Sequence, residues 1–278
     1  MKIYDCFTYC GEDELLKIRF ETLYKKVNKF VIIEGNRFFN GAKKKKLFNI
    51  NKFKKYKKKI HYFFINDFPK HDGNNWNYEF FQRNKISLGL KNINQNDIVL
   101  VSDADEIPNL NNKTFMKYDS TIFFQNMYYY KLNVHCYDGL KWKDKWPGTK
   151  GCKFKFFETA QKIREFRVKK YPWWRIDRKM SRYIENNGGW HFAYLMSTSE
   201  ISKKLSRFSH EIKHVLNKKK VNVKKLNGKE IIEKKIKNMH DIYGRKNIKL
   251  KTVKIDNTFP SAVYKNIKKY KNFINPIA

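Results

Sequence analysis

Acidic residues are scarce in this chain: 26 Asp and Glu face 61 Lys and Arg, a formal net charge of +35 over 278 residues. Cysteine is scarcer still. Cys6, Cys10, Cys136 and Cys152 form no CxxC pair, which argues against a structural zinc site and for reduced, partly buried thiols. No apolar run approaches the ~18 residues of a membrane-spanning helix, and the N-terminal MKIYDCFTYC lacks the apolar stretch of a signal peptide. A cytoplasmic chain, peripheral to a membrane at most, is the resulting expectation. Internal repeats and a convincing linker are also missing, as is a helix-turn-helix or an aromatic RNA-binding signature.

What is present is enough apolar material for one large α/β domain, since 41% of residues are hydrophobic and 17% aromatic. The Lys excess accompanies many Asn, Ile, Tyr and Phe, residues that share AT-rich codons. A Lys-loaded solvated surface is therefore preferred to a dedicated nucleic-acid site, although the charge would draw anions, including an anionic membrane surface, with salt weakening the pull.

Because acids are rare, the place where they concentrate stands out. Asn96 to Asn109 reads NDIVLVSDADEIPN. The unbroken apolar run Ile98 to Val101 reads as a strand buried on both faces. Asp103, Asp105 and Glu106 follow at its carboxyl end, where ligands bind in open α/β sheets, and Pro108 is expected to end the strand. On an extended chain Asp103 and Asp105 would point the same way. They could share a Mg²⁺ or Mn²⁺ ion, or form a solvated acidic turn.

Around this stretch the chain reads as alternating strands and helices. Residues 2 to 9 alternate as a strand, and Glu12 to Glu14 open a helix carrying Leu16, Phe20, Leu23 and Val27 on one face. Strands follow at Phe30 to Ile33 and Ile60 to Ile65, with a Lys-rich solvated segment at 43 to 59 between them. Further helices are expected over Trp76 to Lys91, Asn111 to Lys117, Ser199 to Leu216 and Lys229 to Tyr243. Strands are expected over Thr121 to Asn133 and in the KFKFF segment at 153 to 157, and a loop-rich tail from Lys246. The domain assignment is 1 to 245, with a Lys-rich tail at 246 to 278.

A sugar nucleotide would suit the acidic stretch. Its diphosphate leaves readily only when neutralised, by a metal on Asp105 and by a cation such as Arg83. Trp76, Trp146 and Trp190 are candidate platforms for an acceptor or sugar ring, with core packing as the alternative for each. Tryptophans also cluster at Trp173-Trp174. His191, in Gly-Gly-Trp-His-Phe, is a third possible metal ligand or a structural histidine.

An ordered set of short motifs resembles glycosyltransferase family 17, the relatives of β-1,4-mannosyl-glycoprotein β-1,4-N-acetylglucosaminyltransferase. The set comprises Asp5-Cys6-Phe7, Glu12 with Leu15 to Arg19, FVIIEG at 30 to 35, Phe39-Asn40-Gly41, Asp67-Phe68-Pro69, Gln82-Arg83-Asn84, SDADEIP at 102 to 108, GWHFAYL at 189 to 195 and RFSHE at 207 to 211. The resemblance implies a GT-A-type, Rossmann-like fold with a mostly parallel central sheet flanked by helices and a helical C-terminal appendage. It also implies inverting transfer of a sugar, N-acetylglucosamine in the characterised relatives, from a UDP-sugar with Mn²⁺ or Mg²⁺. Asp103 and Asp105 would be the metal and donor motif, with His191 as a third ligand. Phe7, Tyr9, Glu34 and Arg83 would complete the donor site. Inversion needs a general base; Glu106 is the first choice, and Asp138, Asp144 and Glu158 are alternatives. A glycan, glycolipid or polysaccharide hydroxyl is the expected acceptor. A non-catalytic polyanion-binding protein and a metal-dependent nucleotidyltransferase remain as competing readings.

Overall fold

The structure is a computed structural model that describes residues 1–142, 144–169, 180–205 and 228–277. Its first half follows the alternation in the sequence. Strand β1 (Ile3–Thr8) leads through helix α1 (Asp13–Leu23) to β2 (Lys29–Gly35). The chain then passes through a 3₁₀ segment (Ile50–Lys59) to β3 (Ile60–Ile65), and through α2 (Asn75–Asn84) to β4 (Ile98–Ser102). These four strands are parallel and lie in the order β4-β1-β2-β3.

Successive residues of a strand face opposite sides of a sheet. Accordingly Ile3 and Phe7 of β1, Phe30 and Ile32 of β2, and Ile98 and Leu100 of β4 join one core with Leu16 and Phe20 of α1. Tyr4, Cys6, Val31, Ile33, Val99 and Val101 join a second core on the other face, with Ile86, Leu90 and Ile163. Each large apolar side chain fully buried in these layers contributes about 1.5–3 kcal/mol. The Lys-rich 3₁₀ segment is anchored by burying Phe53 and Tyr56 in the first core while its lysines face out.

The second half departs from the expected mostly parallel sheet. The strands are β5 (Glu106–Pro108), β6 (Ser120–Tyr129), β7 (Val134–Asp138), β8 (Trp146–Lys153), β9 (Arg182–Glu185), β10 (Gly189–Ala193) and β11 (Lys249–Thr252). With the first four they form an eleven-stranded sheet of mixed direction. β8 runs antiparallel to both β4 and β6, and β7 antiparallel to β6 and β11. Parallel neighbours require a long crossover. Between β5 and β8 the connections are short, so the chain doubles back on itself. β6 is the seam: its first half pairs with β9, its second half with β10.

Several local expectations are corrected. Pro108 does not stop pairing; it is the last residue of β5, which pairs antiparallel with β10. The KFKFF segment is not a strand, because β8 ends at Lys153 and Phe154–Phe156 form a 3₁₀ turn. The helix from Trp76 changes to 3₁₀ geometry over Lys85–Gly89, where a Cβ on Gly89 would lie 2.3 Å from Val31. The helix expected over Asn111 to Lys117 is only a 3₁₀ turn at Thr114–Lys117. Helix α3 covers Ala160–Arg164, α4 Thr198–Leu205, α5 Lys229–Lys237 and α6 Ser261–Tyr264. The expected helix over Lys229 to Tyr243 stops early, with Met239 at a positive φ of 50°. The tail from Lys246 supplies β11 to the sheet and buries Val263 and Tyr270 in the first core. Trp173-Trp174, the RFSHE motif and the end of the helix expected to reach Leu216 lie outside the described residues. No helix among the described residues is long and apolar enough to cross a membrane.

The Gly188-Gly189 pair is a steric requirement. A Cβ on Gly188 would lie 2.5 Å from the Phe124 nitrogen, and one on Gly189, at φ +116°, 2.2 Å from the Ile107 carbonyl oxygen. Gly189→Ala is therefore expected to destabilise the chain by more than the about 1–3 kcal/mol of backbone strain alone, measured by urea unfolding. A neutral result would show that β10 is not clamped between β5 and β6 as described.

Candidate active site

The parallel pairing of β1 with β4 sets Phe7 beside Ser102, so both strands release their loops at one sheet edge. The loop after β4 is shaped by Arg19 on α1. Its side chain is fully buried (0% exposed) and bonds the Asp5 carboxylate through Nε at 2.8 Å and Nη2 at 2.6 Å. Nη2 also reaches the Ser102 hydroxyl at 2.5 Å, and Nη1 donates to the carbonyls of Asp103 at 3.1 Å and Glu106 at 2.8 Å. One guanidinium, stacked 4.3 Å from the Phe7 ring centroid, thus ties β1 to both ends of the acidic loop.

That loop is a turn, not an extended strand. The Glu106 amide donates to the Asp103 carbonyl at 3.1 Å, and the Asp103 amide donates back to the Glu106 carboxylate at 3.0 Å. The turn gives the two aspartates different partners, although their carboxylates stay close enough to act on each other. Asp103 lies between two arginines, with Arg83 Nη2 at 3.3 Å and Arg164 Nη2 at 3.2 Å. Burial raises its pKa, but Arg164 and then Arg83 outweigh this and hold it below the ordinary value. Asp105 instead faces His191, with 3.6 Å between Oδ2 and Nε2. Burial again acts upward on Asp105, and the His191 charge and hydrogen bond bring the net shift well below the usual carboxylate range. For His191, burial lowers the pKa and Asp105 raises it, with a net rise.

Glu106 has a different setting from that of a general base. Its side chain is 0% exposed, and Arg164 grips it with Nη1 at 2.6 Å and Nη2 at 2.9 Å. The Trp146 indole N–H adds a third contact at 2.7 Å. With the Asp103 amide these donors occupy both oxygens, and the carboxylate anchors the turn. Among the alternative bases, Asp138 pairs with Lys249 at the sheet edge, Glu158 with Lys162 on the surface, and Asp144 occupies the tight Trp142–Lys145 turn.

Two adjoining cavities open at this edge. The smaller, about 250 Å³, is lined by Asp103, Asp105, His191, Trp146, Tyr9 and Gln82 among others. The larger, about 750 Å³, shares Cys10, Glu12, Phe39, Gln82 and Lys204 with it and extends past Arg37 and Leu47. The structure therefore brings together Tyr9, Asp103, Asp105, Trp146 and His191, with Arg83 behind Asp103. It does not bring the other candidates to the cleft. Phe7 is buried in the core. Glu34 is fully buried and accepts from Lys44, Tyr62 and the amides of Leu47 and Phe48, so it organises the loop that walls the larger cavity. Trp190 packs in the core and donates to the Thr258 carbonyl at 3.0 Å, and Trp76 contacts Phe80 on α2 without lining either cavity.

Sequence reasoning missed Arg164 and gave Arg19 no role. Arg19 lies within a family-like motif. Arg164, in a short helix far along the chain, carries no local signal.

Among the described residues, no group of three or more His, Cys, Asp or Glu forms a ready-made metal cage. Asp105 and His191 offer one oxygen and one nitrogen ligand. The buried Nδ1 of His191 has no hydrogen-bond partner among the described residues, an orphaned polar atom where metal-bound imidazoles are usually braced.

Carboxylates and an imidazole stand at strand ends beside a cleft, the place where open α/β sheets hold their ligands. The family model for glycosyltransferase family 17 matches residues 1–148, more than half of the chain. The chain belongs to this family and is a glycosyltransferase. The motif resemblance is thus borne out over the matched segment, which ends before His191. No curated protein matches the chain.

Removing one partner of a buried ion pair leaves the other charge stranded, at about 3–5 kcal/mol. Arg19→Met should lower unfolding stability by about that amount, and Asp5→Leu combined with Arg19→Met should recover part of it. Both follow from denaturant titration. Equal stability of the two variants would show that the carbonyl contacts, not the Asp5 charge, carry the effect.

Proposed function

We propose that this family 17 member is a GT-A-type, metal-assisted inverting transferase that moves a sugar from a UDP-sugar to a carbohydrate hydroxyl. The observation that carries this reading is the division of labour within the acidic loop. Asp103 is neutralised by the protein's own arginines, while Asp105 stands with His191 in the wall of the smaller cavity, which adjoins the larger one. Asp105 and His191 would hold Mn²⁺, which when bound supplies Lewis-acid neutralisation of the diphosphate. Arg83 and Arg164 fix Asp103 and keep the turn rigid, so the Asp105 carboxylate is presented without reorganisation. The larger cavity beside Cys10, Arg37 and Phe39 is the volume we assign to the nucleoside. N-acetylglucosamine is the transferred sugar by analogy with the resembled family, and a glycan, glycolipid or polysaccharide is the acceptor class.

The sealed state of Glu106 weighs against a nucleotidyltransferase reading, which needs a further carboxylate free for metal. The polyanion-binding reading gains no groove or recognition element from the described residues.

UDP with Mn²⁺ should stabilise the protein by about 2.7 kcal/mol at a ligand concentration one hundredfold above Kd, read as a rise in thermal midpoint. Chelation of the metal, Asp105→Ala and His191→Ala should each remove the rise. Stabilisation that survives in Asp105→Ala would overturn the metal assignment. Steeply salt-dependent DNA binding, unaffected by Asp105→Ala and without any UDP effect, would favour the polyanion reading.

A further inference from the structure

The wall of the smaller cavity formed by tyrosines has no part in the reading above. Tyr194 and Tyr243 are half-buried, line that cavity together with Asp105, His191 and Trp146, and join their hydroxyls at 2.6 Å. Tyr243 stands in a turn pinned by the buried Asp241. That carboxylate accepts from the amides of Tyr243 and Arg245, each at 3.0 Å, and from the Arg245 guanidinium at 2.6 and 3.1 Å. Arg245 also donates to the Tyr129 hydroxyl at 2.9 Å and lines the same cavity. Tyr194 has a φ of +59°, a conformation that costs a bulky residue about 1–3 kcal/mol and gathers at functional sites. It lies directly after β10, three residues beyond His191.

Packing alone does not require this arrangement. The third core, on which these rings rest, is filled by Met127, Val134, Ile201, Ile232 and Ile242, and phenylalanine would serve as well there. Instead, two joined hydroxyls and a braced guanidinium belong to residues lining the cavity that also holds Asp103 and Asp105. Trp146 lines the same cavity, its ring 5.4 Å from that of His191. Aromatic walls match the apolar CH face of a sugar ring, and hydroxyl and guanidinium groups match its hydroxyls. The Asp241–Arg245 pair is neutral overall, and Lys204, whose Nζ lies 5.9 Å from the Tyr194 ring centroid, faces Glu12 at 3.8 Å, so among the described residues each cation of the wall has a carboxylate of its own and none is left over for an anionic ligand.

We infer that the Tyr194–Tyr243–Arg245 wall is the acceptor subsite and that it takes a neutral pyranose. The assignment rests on the transferase reading for its purpose, with the donor on the Asp105 side.

The test uses the full chain and a panel of methyl glycosides of neutral hexoses and of a hexuronic acid. Saturation-transfer NMR reads glycoside binding, and thermal shift reads UDP–Mn²⁺ binding. At least one neutral glycoside should bind the wild type. Tyr243→Ala should weaken that binding at least tenfold and leave the UDP–Mn²⁺ shift unchanged. The double variant Tyr194→Phe with Tyr243→Phe, which keeps both rings, should weaken it several-fold. Unchanged glycoside affinity in Tyr243→Ala, no glycoside binding by wild type that binds UDP, or preference for the uronic acid would each overturn the assignment. Glycoside binding needs no donor. A missing UDP shift with tyrosine-dependent glycoside binding therefore supports the sugar subsite and sinks the donor reading instead.

Discussion

The site depends on a single buried cation. Arg19 is enclosed on all sides, and its charge is balanced by Asp5 one layer away. Desolvating such a pair is expensive, and its Coulombic gain repays that only when the remaining donors are also satisfied. Here they are satisfied by the acidic loop itself, through Ser102 and the carbonyls of Asp103 and Glu106. The path of the loop is therefore coupled to the packing of α1 on β1. Moving the loop would strand donors in an apolar layer, so its rigidity arises from the hydrogen-bonding demand of a guanidinium beneath it.

Above that base, charge is distributed with little waste. Among the described residues, Glu12, Glu79, Asp103, Asp105 and Glu106 gather at this sheet edge, with Lys204 facing Glu12. Arg83 serves Glu79 and Asp103, Arg164 serves Asp103 and Glu106, and His191 faces Asp105. The net charge of +35 has no part in this balance. The relevant cations are the few that are buried, and the lysine-rich surface is a separate matter of solvation and long-range attraction for anions.

The first half of the fold was legible because its periodicities are clean. Ile98 to Val101, Phe30 to Ile33 and Ile60 to Ile65 are short apolar runs bounded by polar residues, and they are strands. The second half was less legible because strand direction depends on connection length and partner choice, neither of which is written in a single aromatic segment such as β6. In the site, Asp105 and His191 were legible as candidates because they sit in recognisable settings. That Asp103 takes different partners was not legible, since it requires a turn held by Arg19. Arg164 escaped because its role is defined only by a contact across 58 residues of sequence. Trp146 and Trp190 looked alike as candidates. Only the sheet register shows that one ring reaches the cleft while the other is turned into the core.

Strand β6 has a consequence for how the enzyme is made. It borders β8 and β9 along one part and β7 and β10 along the other, so the four strands that follow it in the chain are all laid against it. During synthesis the loop leaves the ribosome well before Arg164 and His191. Until they arrive, Glu106 and Asp105 lack the partners that make their burial tolerable. The acidic edge is thus assembled late, through contacts of high sequence separation that fold slowly. A nascent chain cut short after β8 would carry the acidic motif in a form unable to bury it.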